Sequence, residues 1–411
     1  MKAQKSRVTS LMLEGYKSFH ERQEIDLKGL TLIFGYNNSG KSALVRSIPF
    51  LADSFKRDTL KFYTKSYLDY SSEAIRGGVY RDIKNHNSKR ITFGMKWNDS
   101  VDFNFSLTQE GDEPERITKF ELSKDGQKSI YIPTLADLDT FESSEHTVSF
   151  KSFNSIENEE LRTKLLNFSH SVFWISSMRT PPKREFEVGL GIPLGIDQLG
   201  NGVGEMIWHL SSNNSQSFED INSWLKDTCG RVIDTNSPNK YDLNGRRIVR
   251  LETMPAGTDS NSINIPIIDS GEGIAQALPV VTLCAMAANN ELGDAPIIVV
   301  EQPELHLHPK ATVAMARFIV DCINKNEGMN IILETHSESF LLALQMAIID
   351  KKLSLNSFSA YWIDKCKETN FSDVKSIGID EEGFLFGSLP QSVFRETLSL
   401  SRELIEKRRS K

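Results

Sequence analysis

The most informative stretch of this chain is Gly35-Tyr36-Asn37-Asn38-Ser39-Gly40-Lys41-Ser42, a complete G-x-x-x-x-G-K-[ST] pattern. The apolar run 30–34 precedes it and is typical of a buried strand. Apolar residues at helical spacing follow it and predict a helix from Ser42 to Phe55, despite Pro49. A glycine loop between a strand and a helix turns backbone N–H groups and the positive helix end toward phosphate oxygens. The sequence therefore predicts a phosphate-binding loop.

This pattern assigns a chemical role to its polar residues. Lys41 reaches the β- and γ-phosphates of a nucleotide, and the hydroxyl of Ser42 ligates Mg²⁺. The predicted ligands are therefore a nucleoside triphosphate and Mg²⁺. The remaining candidates for nucleotide contacts are the neighbouring loop residues Gly35, Asn37, Asn38, Ser39, Gly40 and Ala43.

A second candidate lies in the stretch 295–304, where the apolar run 296–300 ends in Glu301. A carboxylate at the end of a buried strand lies at the edge of the sheet where α/β folds bind ligands. An acid at a strand end is often only solvated, but with the phosphate loop present we predict that Glu301 holds the hydration shell of Mg²⁺.

A third candidate is the turn Asp269-Ser270-Gly271-Glu272-Gly273, which leads into a predicted helix from about 274 to 289. The hydroxyl of Ser270 and the N–H groups of Gly271 and Gly273 would make a second anion-binding helix start. One nucleotide has one γ-phosphate, so two such sites favour a dimer. The alternative is a plain helix cap with turn glycines.

A histidine provides the fourth candidate. His336 lies just beyond the predicted apolar strand 331–333 and would hydrogen-bond the γ-phosphate or the attacking water. A lone histidine is more often structural, so this role depends on the other three features.

The composition limits the class of protein. The chain has 411 residues, of which 39% are hydrophobic and 25% charged, as in ordinary globular proteins. A formal net charge of −7 disfavours a protein dedicated to coating DNA. No run of 18 apolar residues and no signal-peptide core is present, so we expect a cytoplasmic protein without a membrane partner. The four separated cysteines indicate neither a zinc ribbon nor a disulfide framework.

The order of predicted elements divides the chain into four segments. They are 1–60 with the phosphate loop, an inserted β-rich and helical segment 61–170, a mixed lobe 171–264, and the C-terminal segment 265–411. Alternating strands and helices in the last segment predict a parallel sheet. An aromatic near the N-terminus, Tyr16 or Phe19, is a candidate to stack on adenine, although core packing is commoner.

The order of these motifs resembles the ABC/SMC-like ATPase heads, which include the RecF-type repair proteins and the overcoming-lysogenization-defect (OLD) ATPases. The resemblance covers about 1–50 and 265–340. It implies an α/β P-loop NTPase fold of the ABC-ATPase type, with a mixed sheet core and inserted β-rich and helical subdomains. It also implies that Ser270, Gly271 and Gly273 close on the ATP of a partner head, and that His336 is the switch histidine.

The chain is also similar to a prokaryotic group of AAA-labelled, ABC-like ATPases, many of them found in defence loci. The features that carry this likeness are the stretches 301–309, 176–182 and 379–384. Within the second stretch, Arg179 would face either a phosphate or partner carboxylate, or form a structural salt bridge.

The chain departs from the ABC pattern at two positions. Most ABC-type heads have a water-activating glutamate after the Mg²⁺ acid, whereas this chain has Gln302. An amide does not accept a proton from water at neutral pH, so either Glu304 takes that role or hydrolysis is slow. His308 stands where an aspartate is usual. No residue can be assigned to the glutamine loop.

These features favour an ATPase that works as a homodimeric switch and controls a separate effector, such as a nuclease or toxin. The segment 337–411 is too short for the metal-dependent nuclease domain of the OLD proteins. The alternative is a RecF-like repair ATPase that clamps DNA, weakly supported by the basic pairs Lys183-Arg184 and Arg246-Arg247. A transporter subunit ranks lower.

Overall fold

A computed structural model describes residues 6–56, 68–111, 115–131, 159–189, 194–234, 240–241, 247–257 and 263–387. Its strands are, in chain order, β1 (Val8–Glu14), β2 (Gln23–Asp26), β3 (Leu30–Gly35), β4 (Ile91–Trp97), β5 (Val101–Thr108), β6 (Arg116–Lys124), β7 (Gln127–Tyr131), β8 (Val172–Ile175), β9 (Phe186–Val188), β10 (Arg231–Asp234), β11 (Lys240–Tyr241), β12 (Arg247–Val249), β13 (Glu252–Pro255), β14 (Ile265–Pro266), β15 (Ile297–Glu301), β16 (Asn330–Glu334), β17 (Phe358–Lys365), β18 (Ser372–Ile379) and β19 (Leu385–Gly387). Its α-helices are α1 (Lys41–Phe55), α2 (Tyr80–Ile83), α3 (Glu159–Ser171), α4 (Val203–Ser212), α5 (Gln216–Cys229), α6 (Glu272–Ala288), α7 (Pro309–Lys325) and α8 (Glu338–Ile349).

The strand before the phosphate loop lies in the middle of a seven-stranded mixed sheet, whose order is β19-β18-β17-β3-β16-β15-β8. The five strands from β17 to β8 run parallel, and β18 and β19 add an antiparallel edge. The carboxyl ends of β3, β16 and β15 therefore meet at one edge. This arrangement confirms the predicted mixed sheet core.

The alternation of side chains along β15 sends successive residues to opposite faces of the sheet. Ile297 and Val299 belong to the core that contains α1, whereas Ile298 and Val300 belong to the core formed with α6, α7 and α8. Glu301, the next residue, returns to the α1 face. The carboxylate is thus aimed at the helix that follows the phosphate loop.

The neighbouring strand β16 repeats this plan. Ile332 belongs to the α1 core, and Glu334, two residues later, lies on the same face. In the parallel pairing of the two strands, Glu301 is in register with Glu334. Two carboxylates therefore lie side by side beneath α1.

A six-stranded antiparallel sheet, β2-β1-β4-β5-β6-β7, covers the other side of α1. Aromatic side chains fill the layer between the sheet and the helix, with Phe55 edge-on to both Phe105 and Phe168. Tyr16 and Phe19 are both fully buried in this core. Neither is available to stack on adenine, so core packing is their observed role.

The structure confirms the predicted elements around the motifs. Helix α1 continues through Pro49, and α6 begins at Glu272, slightly before the predicted start. The segment 91–131 is β-rich as expected, whereas 132–158 lies outside the described residues. The four-segment division of the chain stays a prediction, and β1 pairs with β4 across its first boundary.

Helices α4 and α5 and two three-stranded sheets, β10-β13-β14 and β11-β12-β9, form a smaller lobe beside the central sheet. All four cysteines are free thiols. None of the helices in the described ranges is long and apolar enough to cross a bilayer.

Candidate functional site

The phosphate loop has a backbone conformation at Gly40 that only glycine tolerates well. Gly40 caps α1 with φ at 108°, and a Cβ there would lie 2.7 Å from Ser18 Oγ and 2.8 Å from Ser372 Oγ. The first turn of α1 carries neither a side-chain cap nor an acidic residue. Its positive end is therefore available to an anion.

Two serines that sequence reasoning missed support the loop from below. The hydroxyl of Ser372 donates to the carbonyl of Ser39 at 2.5 Å and lies 2.7 Å from Ser18 Oγ. The backbone N–H of Ser372 also donates to the carbonyl of Ser18 at 2.9 Å. No sequence pattern marks these residues, because their importance depends on a contact between distant parts of the chain.

The lysine of the loop is held in place within the loop itself. Lys41 is 4% exposed and donates to the carbonyl of Tyr36 at 2.6 Å. Burial lowers the pKa of Lys41, and the charge of Glu334 opposes this shift. Asn37 and Asn38 are exposed at the top of the loop.

Ser42 contacts the end of β16 and not the end of β15. Its hydroxyl donates to Glu334 Oε1 at 2.8 Å, while Glu334 Oε2 is buried without a hydrogen-bond partner. Burial raises the pKa of Glu334, and the nearby charge of Glu301 raises it further. Sequence reasoning did not single out Glu334, although it ends an apolar strand just as Glu301 does.

Glu301, the predicted Mg²⁺ acid, is enclosed by donors. Arg46 binds it in a bidentate way, with Nε 2.6 Å from Oε1 and a terminal nitrogen 2.5 Å from Oε2. Trp174 Nε1 donates to Oε1 at 3.1 Å, and the Ser177 hydroxyl lies 3.4 Å from Oε2. The Glu301 side chain is 2% exposed and the Arg46 side chain 7% exposed, so this is a buried ion pair.

Glu304 lies in the loop after β15 and accepts hydrogen bonds from the loop after β16. Its Oε1 accepts from Thr335 Oγ1 at 2.8 Å and from the backbone N–H of His336 at 3.0 Å, while Oε2 is buried without a partner. The imidazole of His336 is exposed. Partial burial and the charge of Lys41 lower the pKa of His336, which favours the neutral ring.

Arg179 binds backbone carbonyls, which neither of its two predicted roles included. It is 8% exposed and donates to the carbonyls of Glu301 at 2.5 Å, Gln302 at 2.7 Å and Ser176 at 3.1 Å. Burial lowers its pKa to about 10. Arg179 thus fixes the turn at Gln302, whose φ is 47°.

The Ser/Gly turn before α6 differs in detail from its prediction. Gly271 caps the helix and no side chain does, so Ser270 is not the N-cap. Ser270 Oγ instead lies 3.0 Å from Thr253 Oγ1. A Cβ at Gly273 would lie 2.3 Å from the carbonyl of His306, so the turn packs closely on the loop after β15. Gly271 is exposed.

These residues fit a nucleotide and its metal ion. The hydroxyl of Ser39 and one oxygen of Glu334 are buried polar atoms without partners beside the loop, as expected where a ligand completes the hydrogen bonding. No group of three His, Cys, Asp or Glu in the described part of the chain is arranged to hold a metal. Mg²⁺ bound with phosphates needs only one or two protein ligands.

Comparisons with known proteins agree with this geometry. A family model described as "AAA domain, putative AbiEii toxin, Type IV TA system" matches residues 30–343. No curated protein matches the chain significantly. A crystal structure of an SmcHead bound to the C-winged helix domain of ScpA aligns with a TM-score of 0.50 and 16% identity, covering 90% of this chain and 98% of that one.

Two further head domains are less similar. A Pyrococcus furiosus Smc head with an extended coiled coil, bound to the C-terminal domain of ScpA, has a TM-score of 0.47 and 12% identity, covering 98% of this chain and 100% of that one. An SMC head from Thermotoga maritima has a TM-score of 0.42 and 14% identity, covering 91% and 100%. The SmcHead match and the sheet order confirm the ABC-type ATPase fold. The family model spans most of the sequence, and the chain therefore belongs to the AAA-domain family of P-loop ATPases that this model describes.

Proposed function

We propose that the chain binds and hydrolyses ATP as a homodimeric, nucleotide-gated switch that controls a separate effector in an anti-phage defence system. The observation that carries this proposal is the hydrogen-bonded connection between α1 and both strand ends. Ser42 bonds Glu334 and Arg46 bonds Glu301, so the phosphate loop and the two acids form one unit. These contacts support a nucleotide site at this edge of the sheet.

In the proposed site, the loop residues 35–43 hold the triphosphate and Lys41 neutralises its β- and γ-oxygens. Bound Mg²⁺ supplies charge stabilisation at the transferred phosphoryl group. The neutral ring of His336 offers one nitrogen as an acceptor and the other as a donor near that group.

The general base in this proposal is Glu304, because Gln302 cannot serve as one. One oxygen of Glu304 is fixed by Thr335 and His336, and the other has no partner. A carboxylate oriented in this way is suited to accept a proton from water. Hydrolysis is expected to be slow, since Glu304 lies beyond the usual position of the base.

The dimer in this proposal forms through the turn 270–273. Its exposed Gly271 and the uncapped start of α6 present N–H groups to solvent. In the described structure the Ser270 hydroxyl bonds Thr253 and the carbonyl of Pro266, its backbone N–H donates to the carbonyl of Ile267, and none of these partners lies in the phosphate loop. A second head would therefore supply the γ-phosphate on which this turn closes.

The family supports an effector and a defence context, because its description names a putative AbiEii toxin and a type IV toxin–antitoxin system. The DNA-clamp alternative receives less support. Arg184 is paired with Asp269 through two hydrogen bonds, and Arg247 lies 5.2 Å from the ring of Trp208, so two of the predicted basic side chains already have partners. ATP-dependent, salt-sensitive DNA binding would favour the clamp instead.

Two variants test the shared site. Lys41→Ala removes the cation that faces the phosphates, and we expect at least about a tenfold loss of ATP affinity, because a charge-assisted hydrogen bond is lost. Ser270→Arg should leave ATP affinity within about twofold and prevent ATP-dependent dimerisation. Fluorescent-nucleotide titration and light scattering measure the two effects.

Ser212→Arg is the matched control, because it places the same side chain at the exposed end of α4. It should bind ATP and dimerise like the wild type. If Ser270→Arg and Lys41→Ala lost ATP affinity equally, or if Ser270→Arg still dimerised with ATP, the shared site would be refuted.

A further inference from the structure

The two acids beneath α1 are alike in strand position and facing, so their distance from the phosphate loop and their neighbours must decide which one receives a metal ion. Glu301 and Glu334 end adjacent parallel strands, lie in register and point to the same face. Strand β16 lies between β15 and the strand of the phosphate loop. Glu334 is therefore one strand closer to the loop than Glu301.

The nearer acid contacts the residue that the phosphate-loop pattern assigns to Mg²⁺. Ser42 Oγ lies 2.8 Å from Glu334 Oε1. The second oxygen, Oε2, has no hydrogen-bond partner, and water does not replace one because the residue is only 3% exposed. A buried carboxylate oxygen without a donor is costly unless a cation or donor joins it.

The more distant acid has no oxygen to spare. Glu301 Oε1 accepts from both Arg46 and Trp174, and Oε2 accepts from Arg46 and contacts Ser177. The guanidinium already neutralises this carboxylate. A divalent cation there would have to displace Arg46 from a buried, bidentate pair, which is costly.

We propose that Glu334 is the protein carboxylate that receives the Mg²⁺ of bound ATP, and that the hydroxyl of Ser42 is the second protein ligand. Glu301 is instead a positioning residue that anchors Arg46. This assignment rests on the proposed binding of Mg-ATP at the phosphate loop. One hydroxyl and one carboxylate, with phosphate oxygens and water, make a suitable set of hard oxygen ligands for Mg²⁺. The assignment moves the metal acid from the end of β15 to the end of β16.

Paired isosteric variants separate the two acids. ATP affinity is measured with Mg²⁺ and with EDTA for the wild type, Glu334→Gln and Glu301→Gln. For Glu334→Gln we expect the gain in affinity that Mg²⁺ provides to fall by at least about tenfold, while the affinity in EDTA is retained. For Glu301→Gln we expect the gain from Mg²⁺ to stay within about twofold of the wild type.

A direct metal readout accompanies these titrations. Mn²⁺ is titrated into each ATP-bound protein, and the free ion is followed by electron paramagnetic resonance. Glu334→Gln should bind Mn²⁺ at least about tenfold more weakly than Glu301→Gln. Glu334→Asp, which keeps a carboxylate on a shorter stem, should recover part of the loss. Retained ATP binding in EDTA shows that each variant is folded.

The outcomes separate this assignment from the proposed function. If Glu301→Gln lost the Mg²⁺ effect, with or without Glu334→Gln, or if neither variant lost it, the assignment to Glu334 alone would be overturned while ATP binding stood. A wild type that bound no ATP, with or without metal, would overturn both.

Discussion

The ends of β15 and β16 show how two similar acids acquire different chemistry. Each strand is apolar, ends in a glutamate and aims that glutamate at α1. Ser42 and Arg46 are four residues apart on α1, so they lie on one face of the helix and each meets one strand end. Glu334 receives a hydroxyl and keeps a free oxygen, whereas Glu301 receives a guanidinium. The difference comes from which residue of the helix each strand end meets.

The largest effect is expected when Arg46 is removed. Arg46→Met leaves Glu301 buried with an unpaired charge, and we expect the free energy of unfolding to fall by about 3–5 kcal/mol. Urea denaturation monitored by circular dichroism measures the change. Adding Glu301→Gln to this variant should restore part of the loss, because the unpaired charge is then gone.

An exposed ion pair provides the control for this prediction. Arg22 pairs with Glu24 at 3.2 Å, and both side chains are well exposed. Arg22→Met should therefore cost less than about 1 kcal/mol. If Arg46→Met also cost less than about 1 kcal/mol, the pair of Arg46 and Glu301 would contribute no more to stability than an exposed ion pair.

The two acids should respond in opposite directions when each is neutralised without metal. Glu301→Gln weakens its bonds to Arg46 and should cost about 1.5–3 kcal/mol of unfolding free energy. Glu334→Gln removes a charge that burial disfavours, so its stability at neutral pH should equal or exceed that of the wild type. Chemical denaturation in EDTA at pH 7 compares the two variants.

The free energy of unfolding should depend on pH through the protonation of Glu334, and the direction of this dependence can be stated. Burial raises the pKa of Glu334, so the folded protein binds this proton more tightly than the unfolded chain. The contribution of Glu334 to wild-type stability in EDTA should therefore fall as pH rises from the ordinary glutamate range through the raised pKa. The difference between Glu334→Gln and wild type should grow over that interval. A difference that stayed constant as pH rose from the ordinary glutamate range to neutral pH would contradict the raised pKa.

The smallest effect concerns the support beneath the loop. Ser372→Ala removes the donor to Ser39, and we expect a loss of about 1 kcal/mol in stability together with weaker ATP binding, because the loop shifts relative to Glu334. Ser359→Ala, which removes a hydroxyl that bonds Asp26 elsewhere in the same sheet, should cost similar stability and leave ATP affinity unchanged. Equal ATP affinities in the two variants would show that the support does not position the site.

Much of the fold could be predicted because its signals are local. The phosphate loop, the apolar strands and the helix starts each lie within a short stretch, and the family likeness ordered them correctly. The same rule that selected Glu301, an acid ending an apolar strand, applies equally to Glu334. The rule alone therefore does not distinguish the two acids.

The pairing of side chains between elements could not be predicted. Whether Arg46 meets Glu301 depends on the position of β16 between β3 and β15, which no local pattern records. The same holds for Arg179, whose carbonyl partners become close only when the turn at Gln302 forms. The sequence shows where a charged residue lies in the chain but not which residue it pairs with. Only the three-dimensional structure identifies the partner.

The support at Ser372 has a consequence for how the protein is made. Both strands that flank β3, namely β16 and β17, and the hydroxyl beneath its loop are synthesised roughly 300 or more residues after β3 itself. At ordinary ribosome speeds the interval is on the order of tens of seconds. The strands that pair with β3 and the serine that supports its loop are therefore added only after about 300 further residues, and the phosphate loop lacks these contacts until then.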